Sequence, residues 1–533
     1  MHATAALVGV ADVLTPDDPD YEQARRLWNG LIDRRPALIV RPRDADEVAR
    51  AIGYARAREL EVAVRCGGHS VPGHSTVDGG LVIDLSVHLG GVEVDAERRR
   101  VRVGGGALLG ALDRATQQHG LVVPSGHVSH TGVGGLTLGG GTGWLMRRYG
   151  LTIDSLRSAE VVTADGEIVR ASTDEQPDLF WALRGGGGNF GVVTEFEFEA
   201  HPLGPELVAG MLVYPLTQAR EVLGFARDWM EAAPDGLTSF PVFVTAPPQP
   251  PFPPELQGAP VLAVGVAYAG ATEEGIRALE PLKRFAAPTL DLAGPMPYLA
   301  LQTMLDASVP HGLHNYNRAD WLDELTDDAI STLVEHVGRI SSPLSQVILS
   351  RMGGAVARVP AEATAFPHRQ ARNLLWIVSA WHAGEDKEPH LQWAREISDA
   401  MKPHAAGGVY VNALGDEPAD RVRSAYGTKW QRLTEIKRRY DPDNVFRRNA
   451  NIQPATRDEA LLRTRTVDPL LTVVDGERLR ASSHSAIEYR ALLLGRGVTR
   501  SKAMARRDDE LLHVHRGADR GRGTPLLRSL RGR

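Results

Sequence analysis

Arg65-Cys66-Gly67-Gly68-His69-Ser70 follows the apolar strand Val62-Ala63-Val64 and runs on through Val71-Pro72-Gly73. Two adjacent glycines permit positive φ and close approach of another group to the backbone, and successive N–H groups in such a turn make a concave anion site. A phosphate fits that hollow. His69, directly after it, is placed to face whatever ring system the phosphates carry. Taken alone, the stretch equally suits a plain strand-to-strand turn with an incidental histidine, so its reading rests on the rest of the chain.

Two further glycine clusters lie downstream. Gly132-Val133-Gly134-Gly135-Leu136-Thr137-Leu138-Gly139-Gly140-Gly141-Thr142-Gly143 holds seven glycines in twelve residues. Each costs about 1 kcal/mol relative to alanine inside a helix or strand, so neither element is expected there. The interleaved Val133, Leu136, Leu138, Trp144 and Leu145 are too apolar for a flexible linker, and a bare backbone makes sense where a large flat ligand lies on it. The third cluster runs from the aromatic helix end Leu179-Phe180-Trp181 through Gly185-Gly186-Gly187-Gly188 and Gly191 into an alternating strand, Val193 to Phe198. Three such segments between Arg65 and Thr194 point to one extended cofactor, longer than a mononucleotide.

Working outward, Asp20 to Ile32 has helical spacing, and Ala37 to Val40 reads as a strand. Asp44-x-x-Glu47 is a capping-box pattern opening a helix that buries Val48, Ile52 and Ala55. Short strands follow at Gly80–Asp84, Val92–Val94 and Val101–Val103, and Asp165-Gly166 turns a hairpin. No Gly-x-Gly-x-x-Gly opens the first helix and no P-loop lysine appears, so the arrangement is α+β and not a Rossmann domain. From Pro205 the texture changes to longer helix and strand signals, with strands at Val261–Ala267 and Leu375–Trp381. Val409 to Asn412 alternates like a short strand, Tyr426 to Tyr440 has a helical pattern, and Asp441-Pro442-Asp443-Asn444 ends it.

Composition narrows the partners. A hydrophobic share of 43% and a charged share of 24% over 533 residues are those of a globular protein with more than one core. A net charge of −6 gives no global reason for nucleic acid or an anionic membrane, and no long apolar run predicts a membrane span. Cys66 is the single cysteine, so no intrachain disulfide or cysteine-based zinc site forms; a reducing, cytoplasmic setting is expected. Cys66 itself reads as a small buried filler. His127 and His130 are three apart and His69 and His74 five apart, without carboxylates at ligand spacing; these are read as packing or solvated histidines, and no metal is expected. From Thr456 onward, 17 Lys/Arg face 10 Asp/Glu, a basic tail read as poorly ordered and dispensable.

The three clusters, with Tyr410-x-Asn412, Asp441-Pro442-Asp443-Asn444-x-Phe446 and Asn449-x-Asn451-Ile452, resemble the berberine-bridge-enzyme-like group of FAD-linked oxidases in the vanillyl-alcohol-oxidase superfamily. The match runs from about Tyr21 to Pro454. The resemblance implies a two-part PCMH-type FAD-binding domain, residues 1–204 (its core about 34–203) and 407–455. Between them it places a substrate domain, residues 205–406, built on an antiparallel sheet covered by helices. The tail, 456–533, falls outside. It implies that Arg65, Cys66, Gly67, Gly68, His69 and Ser70 hold the FAD pyrophosphate, with His69 bonded covalently to the flavin 8α-methyl. Thr131, Gly134, Gly135, Gly139, Gly140, Gly141, Gly143, Gly188, Gly191, Val193, Asn449 and Asn451 complete the cofactor set.

Many relatives add a cysteinyl bond from the place occupied here by Val128, so attachment through His69 alone is expected. The group's catalytic tyrosine corresponds to Tyr410, with Asn412 beside it; a phenol pKa near 10 must then be depressed, by Asn412 or by a cation such as Arg351. Thr131, small where relatives gate oxygen, favours O2 as acceptor and H2O2 as product, while Leu136 stands where many oxidases carry histidine and leaves dehydrogenase behaviour open. Small-molecule oxidation at a carbon bearing a hydroxyl or amine, on a natural product or sugar, is the first expectation. A flavin-containing protein that sequesters or reoxidises a drug-like metabolite is the second. Tyr316, Arg351, Trp381 and His382 are the pocket residues expected from the second domain.

Overall fold

The computed structural model describes residue 10, residues 12–415 and residues 417–456. The basic tail lies outside the described residues. Strands Leu38–Val40, Leu81–Asp84 and Val62–Arg65 form a parallel sheet in that spatial order, edged by the antiparallel Val13–Leu14. The helix Ala45–Ala57 joins the first two in sequence; Asp44 caps it by accepting from the Glu47 N–H at 2.8 Å, and Glu47 accepts in return from Arg43 N–H. Val48, Ala51, Ile52 and Ala55 form the face this helix buries. Its neighbour strand delivers the histidine loop.

Val92–Asp95, Arg100–Gly104, Val192–Glu199, Leu156–Val162 and Ile168–Ser172 make a second, antiparallel sheet. Phe196 and Phe198 point into its core while Glu195 and Glu197 stay partly exposed, as period-two alternation requires. Gly166, at φ +86°, turns the expected hairpin.

The third sheet is antiparallel throughout. Its long strands lie in the order Glu206–Pro215, Pro260–Tyr268, Leu237–Thr245, Gln346–Arg351, Asn373–Trp381 and His314–Leu322. One face carries Leu212, Leu262, Phe243, Val347 and Ile377 under the helices Ala219–Glu231, Asp327–Val337 and Glu388–Met401. The other face is turned toward the glycine clusters. The expected segment boundaries, 204/205 and 406/407, both fall in connections between elements.

Three local expectations need correction. The expected helix Asp20–Ile32 is a single turn, Tyr21–Ala24. Tyr410 begins a short 3₁₀ turn, Val411–Ala413, and is not in a strand. Val133–Gly139 is helical despite its glycines, because buried Val133, Thr137 and Leu138 anchor it and the missing side chains let neighbours close in.

The C-terminal segment is tied back by a buried ion pair. Lys437 Nζ donates to Asp441 Oδ2 at 2.6 Å, to the Asn189 carbonyl at 2.8 Å and to the Phe446 carbonyl at 3.0 Å, while Asp441 also accepts from the Val445 and Phe446 N–H groups. Both side chains are fully buried. Lys437→Met leaves that carboxylate without its cation, so a loss of about 3–5 kcal/mol is expected, read as a lower urea midpoint.

Candidate active site

The histidine loop leaves its strand under restraint. The Arg65 guanidinium pairs with the buried Asp84 carboxylate and with the Ala24 carbonyl, so it braces the loop's base and does not reach the cavity wall. A Cβ on Gly67 would stand 2.3 Å from Gly132 N, which only glycine avoids, and Gly68 takes φ +68°. Cys66 packs its sulfur 3.3 Å from the Ala107 carbonyl, and burial pushes its thiol up to about 11, as fits a filler.

His69 sits in a cluster that its sequence neighbours do not reveal. Trp28 stacks on it at 4.8 Å and 14°, His130 Nδ1 lies 2.7 Å from its Nε2, and His311 meets it edge-on at 6.0 Å. Burial, and then the two other imidazoles, hold His69 down at about 3. It is a neutral ring, and its Nδ1 makes no hydrogen bond to any described residue. One nitrogen from each of His69, His130 and His311 lies within 4.8 Å of the others. The histidine pairs seen at short sequence spacing, His127 with His130 and His69 with His74, are not what the fold brings together.

This loop opens on a cavity of about 1010 Å³. Cys66, Gly67, Gly68, His69 and Ser70 line it from one side, with Thr131, Gly134 and Gly135 beside them. Gly188, Gly191, Val193 and Asn449 also line it, as do Tyr410 and Asn412. A Cβ on Gly135 or Gly188 would meet no protein atom, so these two leave free space on the cavity wall. Gly139, Gly140, Gly141 and Gly143 have another reason to be bare. They are off the wall, and a Cβ on them would collide with Asn412, Phe366, Thr152 and the Ser125 carbonyl respectively. Asn451 is also off the wall, with a buried, unpartnered Oδ1.

Tyr410 is 2% exposed. Its oxygen accepts from the Gly141 N–H and from Asn412 Nδ2, each at 3.0 Å, and Asn412 Nδ2 also reaches the Leu136 carbonyl at 3.0 Å. Burial among Trp321, Phe366 and Trp376 raises the phenol above its usual value, and those donors offset this only in part. The expected depression is therefore absent. Arg351 does not supply it: it pairs with Glu231 at 2.6 Å and lies off the cavity. Trp381 stacks on His390 instead, and neither it, His382 nor Tyr316 lines the cavity. In the strand Asn373–Trp381 it is Trp376 and Val378 that do, with Asn317 paired opposite Val378.

The donor set fits a dinucleotide. Arg448 is the one residue with a permanent formal charge among the lining residues described; it reaches the Thr76 carbonyl at 3.2 Å, beside the histidine loop, and its buried Nε has no partner. Asn449 donates to the Gly188 and Phe446 carbonyls but leaves a buried Oδ1 unpaired. A cation and orphaned polar atoms beside a glycine hollow suit a phosphate and a polar ring.

Buried imidazoles also set the acid limit. Burial holds His74 and His127 down at about 4, whereas unfolding returns them to about 6.5. The unfolded chain then binds more protons below pH 6.5, so stability present above that value is lost as pH falls toward 4. The melting temperature is expected to drop across that window, and His127→Phe is expected to flatten the slope.

An α+β cradle closed by a C-terminal segment and facing an antiparallel sheet defines a class of flavin-dependent oxidoreductases. Two family models match the chain: "FAD binding domain" over residues 36–172 and "Berberine and berberine like" over residues 409–453. An FAD-linked oxidoreductase of Dictyostelium discoideum is 33% identical, over 82% of this chain and 93% of its own length. The (R)-6-hydroxynicotine oxidase of Paenarthrobacter nicotinovorans is 30% identical, over 83% and 96%. A solved 6-hydroxy-D-nicotine oxidase from Arthrobacter nicotinovorans superposes with a TM-score of 0.76 at 29% identity, covering 84% of this chain and 99% of that one. The chain belongs to the berberine-bridge-enzyme-like family of FAD-linked oxidoreductases.

Proposed function

We propose that the protein is an FAD-dependent oxidase that removes hydride from a carbon bearing a hydroxyl or amine, with O2 reoxidising the flavin to give H2O2. The observation that carries this is the pairing, in one cavity, of a neutral imidazole at His69 with a buried phenol at Tyr410 whose oxygen already accepts two hydrogen bonds. FAD, when bound, supplies the hydride acceptor. Gly67, Gly68 and Ser70 would hold its pyrophosphate, with Arg448 as the nearby cation, and His69 would tether it through the unpaired Nδ1. Val128 offers no thiol, so the tether is single. Tyr410, in its ionised form, takes the proton from the substrate hydroxyl or amine and becomes the phenol; Gly141 N–H and Asn412 Nδ2 hold the phenolate that exists before that transfer. Thr131, small and on the cavity wall, leaves room for dioxygen.

The test is flavin-loaded protein in air with a panel of alcohols and amines. Peroxide release in step with substrate loss is expected. Tight ligand binding without flavin bleaching under anaerobic conditions would favour a sequestering protein instead.

A further inference from the structure

The sheet wall of the cavity carries a record of what the cavity accepts. Strand alternation sends Met211, Val213, Val242, Ile348 and Val378 into the cavity, and their odd or even neighbours into the helix-covered core behind. Phe240 and Trp376 add aromatic surface to the same wall. Phe252 continues the apolar lining outside the strands, and Leu305 and Val309 carry it round to Trp28, whose Nε1 donates to the Val309 carbonyl at 2.8 Å.

Polar groups on this wall are few. Asn317 and Trp376 Nε1 satisfy one another across 2.8 Å once the amide is turned to suit its neighbours. Thr245, Gln346 and Ser350 remain on the strands, and Ser308 joins them from the loop beside Val309. No Asp, Glu or Lys lines the cavity among the described residues, and Arg448 sits by the Thr76 carbonyl, away from the sheet. The neighbouring His127, packed between Phe240 and Trp144, is itself uncharged at neutral pH.

From this wall we infer that the substrate is a neutral, largely apolar alcohol of aromatic or terpenoid character, and neither an oligosaccharide nor an ammonium-bearing amine. This rests on reading the cavity as the oxidase's substrate site. A sugar chain buries a hydroxyl at nearly every carbon, and four short or amide side chains leave most of them unpaired. An ammonium group loses its water and finds no carboxylate on the wall. An apolar ring system loses nothing there and gains burial. Solved chitooligosaccharide and xylooligosaccharide oxidases share the fold with TM-scores of 0.76, at 21% and 22% identity, so the architecture leaves the choice open and the side chains of this wall make it.

The test compares 2-naphthylmethanol, 2-naphthylmethylamine, which is an ammonium ion at pH 7, and cellobiose on flavin-loaded, full-length protein without oxygen. Binding is read from the flavin absorbance and from tryptophan fluorescence, to which Trp376 contributes. The alcohol is expected to bind at least tenfold tighter than the ammonium ion, with no saturable binding of cellobiose. Equal or tighter binding of either competitor, or no saturable binding of the alcohol, overturns the inference. Gln346→Glu, nearly isosteric and on the same wall as Ile348, is expected to narrow the alcohol-to-ammonium ratio at least fivefold. An unchanged ratio places the ring elsewhere and also overturns it. A protein that takes up no flavin yet keeps this ranking by tryptophan fluorescence would sink the oxidase reading alone.

Discussion

His69→Ala is expected to abolish flavin fluorescence in the denatured protein band while leaving the folded protein able to take up FAD reversibly. The loop hollow is made by Gly67, Gly68 and the backbone beyond them, none of which the substitution touches. What disappears is the neutral Nδ1. Trp28 and His130 fix the ring so that Nε2 is engaged at 2.7 Å and Nδ1 is not, which is the arrangement a nucleophilic imidazole needs. His130→Ala removes the partner of Nε2 but not the nucleophile, so the band is expected to persist and to appear more slowly after FAD is added to apoprotein. Gel fluorescence against time separates the two variants. A full-strength band in His69→Ala would remove that residue from the attachment.

Tyr410→Phe is expected to lower kcat/KM by about 10²–10⁴, the range for losing a general base, with flavin content unchanged. The phenol is buried and raised above its usual value, so it is neutral at rest. A base in that condition is active only in the small ionised fraction. The sign follows: activity should climb with pH, close to tenfold per unit from pH 7 to pH 9, and the climb should vanish in Tyr410→Phe. Asn412→Ala removes one of the two donors on the phenol oxygen and is expected to shift the rise to higher pH. A flat profile in the parent enzyme would argue that Tyr410 only packs.

Much of this was legible in the sequence, for reasons that can be named. Gly67 and Gly68 read as a turn because no other residue fits against Gly132 or at φ +68°, and the alternation from Val193 to Phe198 read as a strand because one face is buried. Val133 to Gly139 misled because propensity counts what a helix loses in isolation, whereas the close approach of the Gly105 carbonyl to Gly134 and of Asn412 to Gly139 rewards a missing side chain. Trp381 and Tyr316 missed the cavity by parity, since a strand shows only alternate residues to each side and Trp376, Val378 and Asn317 hold the inward positions, while His382 lies beyond the end of its strand. His130 was visible but paired with the wrong partner, and His311 comes from a distant loop that only the tertiary fold brings near. The state of Tyr410 was misjudged because its surroundings are aromatic rings, which no local pattern around residue 410 announces.

The strap at Lys437 has a consequence for how the molecule is born. Tyr410, Arg448 and Asn449 all reside in the segment that this ammonium fastens to Asn189, 248 positions upstream. A ribosome therefore exposes every glycine turn long before the cap that completes the chamber has emerged. Capture of the yellow prosthetic group thus waits until the segment through Asn449 has emerged, and a nascent chain halted ahead of Tyr410 has the turns but no vessel to keep it.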